Sequence, residues 1–129
     1  MAESSHPKVL IIEDERTIIK ALDMEMNNRY NLVEALDGET GLNLARNEKP
    51  DLIILDLILP KMHGFEVLKN LKSDNETKNV PVIILTCLGQ DSDKKKGMAL
   101  GADDYLIKTD YRLEEVAEKI DHALNKNNK

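Results

Sequence analysis

Thiols and aromatic rings are nearly missing from this chain of 129 residues, which holds one cysteine, no tryptophan and one phenylalanine. Alone, Cys87 can form neither an internal disulfide nor a thiolate metal cage, in keeping with a reducing compartment. The shortage of rings leaves an aliphatic core. No apolar run approaches the ~18 residues of a membrane span, and the stretch from Met1 to Lys8 is polar where a secretory signal requires an apolar segment. A cytoplasmic location without membrane insertion is expected. Positive charge is scarce as well: 18 Lys and Arg against 24 Asp and Glu give a net charge of −6, which argues against direct nucleic-acid binding. With 41% hydrophobic residues the chain has enough for one core and not for two, so a single domain over 1–129 is expected. Its ordered core is expected over about 8–125, with 1–6 and 126–129 as loose ends.

What the chain does have is an alternation of short apolar runs with longer segments of helical period. The strands read as Val9–Ile12, Leu32–Ala35, Leu52–Leu55, Val82–Leu85 and Tyr105–Ile107, and the helices as 15–28, 39–47, 65–73, 91–100 and 112–125. Four strands are continuously apolar, as parallel strands covered on both faces must be. The run Asn31-Leu32-Val33-Glu34-Ala35 carries charge and is expected at a sheet edge. In the last helix Leu113, Ala117, Ile120 and Leu124 form one stripe, with Lys119 on the solvated side. Asp37-Gly38, Pro50, Pro60, Gly64 and Gly101 punctuate the boundaries. Five βα units with right-handed crossovers predict an α/β fold. Its doubly wound five-stranded parallel sheet takes the flavodoxin-like order 2-1-3-4-5, with five helices on two faces.

In such a sheet functional groups collect beyond the carboxyl ends of the strands. The first strand ends in Glu13-Asp14-Glu15, the third in Asp56, the fourth in Thr86-Cys87 and the fifth in Lys108-Thr109. Carboxylates brought together from Glu13, Asp14 and Asp56 repel unless a cation lies among them. Mg²⁺, which takes carboxylates, waters and phosphate oxygens, suits an open site of this kind. With Lys108 and Thr86 opposite, the set suits a phosphoryl group carried on a carboxylate, and Asp56, the lone acid at its strand end, is the natural nucleophile. Singly, each residue also has a plain structural reading: Asp14 as a helix cap, Asp56 and Thr86 as strand-end residues, Lys108 as a solvated lysine. Their joint placement favours the functional one.

These segments resemble the receiver domain of two-component response regulators. The resemblance is carried by Val9-Leu10-Ile11-Ile12-Glu13-Asp14-Glu15, Asp51 to Gly64, Val82-Ile83-Ile84-Leu85-Thr86 and Gly101 to Lys108, and runs from about Lys8 to Leu124. It implies a phospho-switch that accepts a phosphoryl group from a histidine kinase or phosphotransfer protein and catalyses only its own phosphorylation and dephosphorylation. By position, Asp56 is then the acceptor. Asp14 ligates Mg²⁺ directly and Glu13 through water, and the main-chain carbonyl of Ile58 adds a ligand. Thr86 and Lys108 contact the phosphoryl oxygens, and Thr86 couples to Tyr105. The resemblance also implies a downstream protein bound by the fourth helix, fifth strand and fifth helix.

Three departures accompany it. Thr109 stands where the family usually has proline, often after a cis bond; a non-proline cis bond costs about 2.5–4 kcal/mol, so a trans bond with a shifted loop, or a strained one, is expected. Cys87 replaces a smaller residue and is expected to narrow access. Ile58 and Leu88 are apolar where other members carry polar groups, which favours a long-lived phosphoaspartate. Other readings fit less well. A flavodoxin-like nucleotide binder needs a phosphate-cradling loop where Glu13-Asp14-Glu15 stands, and a haloacid-dehalogenase-type phosphatase needs an acid at Ile58. A receiver-like interaction domain that works without phosphorylation remains the rival. His6, His63 and His122 lack metal spacing and read as surface residues, Met24 and Met26 as helix packing, and Lys94-Lys95-Lys96 as a solvated run. No output segment follows Leu124, so a chain ending there would act by protein contact.

Overall fold

The computed structural model describes residues 6–127, with side chains through Asn125; most of the ends expected to be loose lie outside the described residues. Five parallel strands, β1 Lys8–Ile12, β2 Asn31–Ala35, β3 Leu52–Leu55, β4 Val82–Thr86 and β5 Asp104–Ile107, form one sheet in the order β2-β1-β3-β4-β5. They alternate with α1 Arg16–Met26, α2 Gly38–Glu48, α3 Gly64–Ser73, α4 Asp91–Ala99 and α5 Leu113–Asn127. Fold class and strand order match the expectation. The charged strand β2 is indeed an edge, with only Ala35 buried, while β3 and β4 are buried throughout.

Because successive side chains point to opposite faces of a strand, each apolar strand feeds two cores at once. Val9, Ile11, Leu52, Ile54, Ile83, Leu85 and Leu106 pack with Ile19, Leu22 and Met26 of α1 and Val116, Ile120 and Leu124 of α5. Leu10, Ile12, Ile53, Leu55, Ile84 and Tyr105 pack with Ala45 of α2 and Val67, Leu68 and Leu71 of α3. Each fully buried Leu or Ile contributes about 1.5–3 kcal/mol relative to an exposed one, so the two aliphatic layers carry the fold.

Two helices, α2 and α3, begin at the punctuation seen in the sequence, Gly38 and Gly64. Asp37 caps α2 by accepting from the Thr40 amide at 2.8 Å. His63, expected as a surface residue, is exposed and in addition caps α3: its Nδ1 accepts from the Phe65 amide at 3.0 Å, and its ring stacks on Phe65. Met26 packs as expected, whereas Met24 is 79% exposed. The reason is geometric, since residues two apart on a helix lie on different faces and the buried stripe is Ile19, Leu22 and Met26. His6, His122 and the Lys94-Lys95-Lys96 run are exposed. Among the described residues no helix is long and apolar enough to cross a membrane.

Candidate functional site

All five parallel strands end at one rim of the sheet, and hydrogen bonds running one step past β1 and β3 fix the residues that follow them. The Glu13 amide donates to the Ala35 carbonyl at 2.9 Å, and the Asp56 amide to the Ile12 carbonyl at 3.0 Å. Both carboxylates are thereby delivered at the sheet edge, and both residues are buried. Opposite them, Ile107 pairs with Thr86 at the end of β5, and the chain turns through a 3-10 helix at Lys108–Asp110. The Lys108–Thr109 bond is trans, so no cis bond stands in for the missing proline.

Lys108 is the centre of the arrangement. Its Nζ lies 2.9 Å from Glu13 Oε1, 3.0 Å from Asp56 Oδ2 and 3.0 Å from Glu15 Oε1. Asp56 Oδ1 accepts from the Ile58 amide at 3.2 Å, and Glu13 Oε2 accepts from the Glu15 amide at 3.0 Å. Of the expected residues, the structure thus brings together Glu13, Asp56 and Lys108.

It adds Glu15, which sequence reasoning placed in the motif but gave no role. Carboxylate oxygens of Glu13, Glu15 and Asp56 lie within 4.8 Å of one another, while Asp14 is exposed and stands outside this group. The turn explains the difference. Glu13 folds inward onto the Glu15 amide, and Lys108 draws the Glu15 carboxylate over the site, but among the described residues no hydrogen bond or ion pair draws Asp14 in. Nor does Asp14 cap α1, whose first residue is preceded by Glu15 with no side-chain cap.

The electrostatics point to a further cation. Three carboxylates face a single ammonium, and burial, helped by the nearby Asp56 charge, pushes the Glu13 carboxyl up to about 7 against the lowering pull of Lys108 and the Glu15 amide. Burial pulls Lys108 down, but its hydrogen bonds to Glu13, Asp56 and Glu15 outweigh that and hold it above the usual lysine range. A donor set of hard oxygens with excess negative charge fits a divalent cation among Glu13, Glu15 and Asp56.

A pH dependence follows from Glu13. Between about 4.5 and 7 the folded metal-free protein holds a proton at Glu13 that the unfolded chain has released, so this residue's contribution makes stability fall as pH rises across that window. A metal that needs the ionised carboxylate competes with this proton. Calorimetric titration is expected to show tighter divalent-metal binding at pH 8 than at pH 6; equal affinity would remove Glu13 from the metal's surroundings.

Thr86 ends β4, and Tyr105 lies on the neighbouring strand β5. Thr86 is fully buried, and its hydroxyl oxygen faces the Leu88 amide at 3.5 Å. Tyr105 is buried and donates its hydroxyl to the Leu88 carbonyl at 2.6 Å. Burial, with the charges of Asp93 and Asp56, pushes the Tyr105 phenol up to about 12. The backbone of Leu88 thus touches both residues, one through its N–H and the other through its C=O. Cys87 is exposed beside them, and Ile58 is 51% exposed at the mouth.

Comparison with known proteins gives the family of the chain. A family profile described as "Response regulator receiver domain" matches residues 9–121. The chain is 41% identical over 123 residues to the "Probable transcriptional regulator ycf27" of Guillardia theta, covering 95% of this chain and 47% of that protein. It is 43% identical over 116 residues to the "DNA-binding dual master transcriptional regulator RpaA" of a Synechocystis strain, covering 88% of this chain and 47% of that protein. The chain therefore spans about half the length of these curated relatives. Among solved structures, the Francisella response regulator 1452 receiver domain superposes with a TM-score of 0.86 at 30% identity, covering 95% of this chain and 99% of that one.

Proposed function

Because this chain belongs to the response regulator receiver domain family, we propose that it accepts a phosphoryl group onto Asp56 from the phosphohistidine of a histidine kinase or phosphotransfer protein. Residues 1–129 act in this reading as one receiver unit, working in the cytoplasm and catalysing only its own phosphorylation and dephosphorylation. The observation that carries it is the shared ammonium: Lys108, at the end of β5, reaches the Asp56 carboxylate beyond β3 at 3.0 Å.

The Asp56 carboxylate attacks the donor phosphorus, a P–O bond forms as the P–N bond to histidine breaks, and the electron pair leaves with the imidazole. Negative charge on the phosphoryl oxygens meets Lys108, and the Ile58 amide holds the other Asp56 oxygen. Mg²⁺ is the cofactor in this reading, with Glu13, Asp14, Asp56 and the Ile58 carbonyl as its surroundings and Glu15 alongside. When bound it supplies a fixed double charge against the phosphoryl oxygens. Thr86 then leaves the Leu88 amide for a phosphoryl oxygen. Since Leu88 also receives the Tyr105 hydroxyl, that movement reaches β5 and the α4–β5–α5 face, where a downstream protein binds.

Incubation with Mg²⁺ and acetyl phosphate, followed by intact-mass measurement, tests this. One phosphoryl group should be gained by the native chain, and none by Asp56→Asn or by the native chain in EDTA. Absence of labelling from any donor or kinase would favour an interaction domain that works unphosphorylated.

A further inference from the structure

Resting on the phosphoacceptor reading above, the geometry points to Glu15 as a positioning residue that occupies Lys108 at rest and must be displaced by the incoming phosphoryl group. An ammonium has three N–H donors. At Lys108 a carboxylate faces each of them: Glu13 at 2.9 Å, Asp56 at 3.0 Å and Glu15 at 3.0 Å. A phosphoryl oxygen that is to receive a hydrogen bond from Lys108 has to take the place of one of these.

The three partners differ in how readily they leave. The side chains of Glu13 and Asp56 are 3% and 5% exposed, and each is held a second time, by the Glu15 amide and the Ile58 amide. Stripping either from Lys108 strands a buried charge. The Glu15 side chain is 57% exposed, so water replaces its lost contact. Only the side chain has to move. The Glu15 main chain is anchored at the start of α1, with its carbonyl accepting from the Ile18 amide at 3.1 Å and the Ile19 amide at 3.3 Å.

Glu15 therefore acts in two ways. It stands as a negative charge at the mouth, which the anionic donor meets before Asp56, and it competes for the ammonium hydrogen that the phosphoryl group requires. Both effects raise the donor concentration needed for labelling more than they slow the transfer itself. Both are screened by salt.

The test compares the full chain with Glu15→Gln and Glu15→Ala at saturating Mg²⁺, following labelling against acetyl phosphate concentration at low and high salt, with Mg²⁺ affinity measured separately by calorimetry without donor. Both variants are expected to label about two- to fivefold faster at low donor. The gain should come through a lower half-saturating concentration with shallower salt dependence, and it should persist at saturating Mg²⁺ whatever change in Mg²⁺ affinity the loss of a neighbouring carboxylate brings. Agreement between Gln and Ala separates charge from shape. Labelling at the native rate would overturn the proposal. Slower labelling at saturating Mg²⁺ would also overturn it, by showing that the transfer needs the Glu15 carboxylate instead of having to displace it. If neither the native chain nor the variants were labelled, the Asp56 reading itself would fall and this inference with it.

Discussion

Replacing Lys108 by methionine will leave Glu13 and Asp56 buried without their shared cation, and the metal-free protein should lose about 3–5 kcal/mol of stability at pH 8. At pH 6 the loss should be smaller, because Glu13, already pushed up to about 7, takes a proton instead of standing charged. Mg²⁺ should bind at least about tenfold tighter in the variant, since a like charge within contact distance of the same carboxylates is gone. Labelling by acetyl phosphate should nevertheless slow by about a hundredfold, because the phosphoryl oxygens lose their fixed donor. Urea midpoints at the two pH values, a Mg²⁺ titration and a labelling time course measure the parts separately. Unchanged stability at both pH values, together with unchanged Mg²⁺ affinity, would mean that the ammonium does not hold these carboxylates.

The second large effect is expected at Gly64, the first residue of α3. A methyl group there would come within 2.3 Å of the Leu57 Cα and 2.6 Å of the Asp56 carbonyl oxygen, both main-chain atoms that cannot swing aside. The Gly64 amide also donates to the Leu57 carbonyl at 2.8 Å, so helix and strand end are tied together at this point. Gly64→Ala must push α3 off the end of β3 or move Asp56. We expect a loss of about 1–3 kcal/mol, a fall in melting temperature of several degrees, and labelling reduced by about a hundredfold as Asp56 shifts from Lys108. Gly89→Ala serves as the contrast, since its nearest neighbour would be Ile107 at an ordinary 3.4 Å; its stability should stay within about 0.5 kcal/mol of the native value.

Much of this was legible in the chain because the signals are local. A run such as Leu52-Ile53-Ile54-Leu55, short, branched and bounded by polar residues, reads as a strand covered on both faces, and the residue after it is delivered to the rim whatever its identity. The strand-end positions of Asp56, Thr86 and Lys108 follow from that rule. The direction of a side chain inside a turn is a different matter. Whether Asp14 or Glu15 faces the site depends on where Lys108 stands, 93 residues beyond Glu15, and no spacing within Glu13-Asp14-Glu15 reports it. His63 as a cap of α3 was equally hidden, because a ring nitrogen serving a backbone amide leaves no periodic trace. The exposure of Met24 was readable, since the helical stripe through Ile19, Leu22 and Met26 excludes it.

The chemical identity of the labelled residue decides the central claim. Borohydride reduces an acyl phosphate on aspartate to homoserine, and trypsin should release the peptide Asn47–Lys61, which contains Glu48, Asp51 and Asp56. Fragmentation of that peptide after labelling and reduction should place homoserine at 56 and leave 48 and 51 unchanged. Homoserine at 51, or a phosphoryl group found on a histidine, serine or threonine instead, would contradict it.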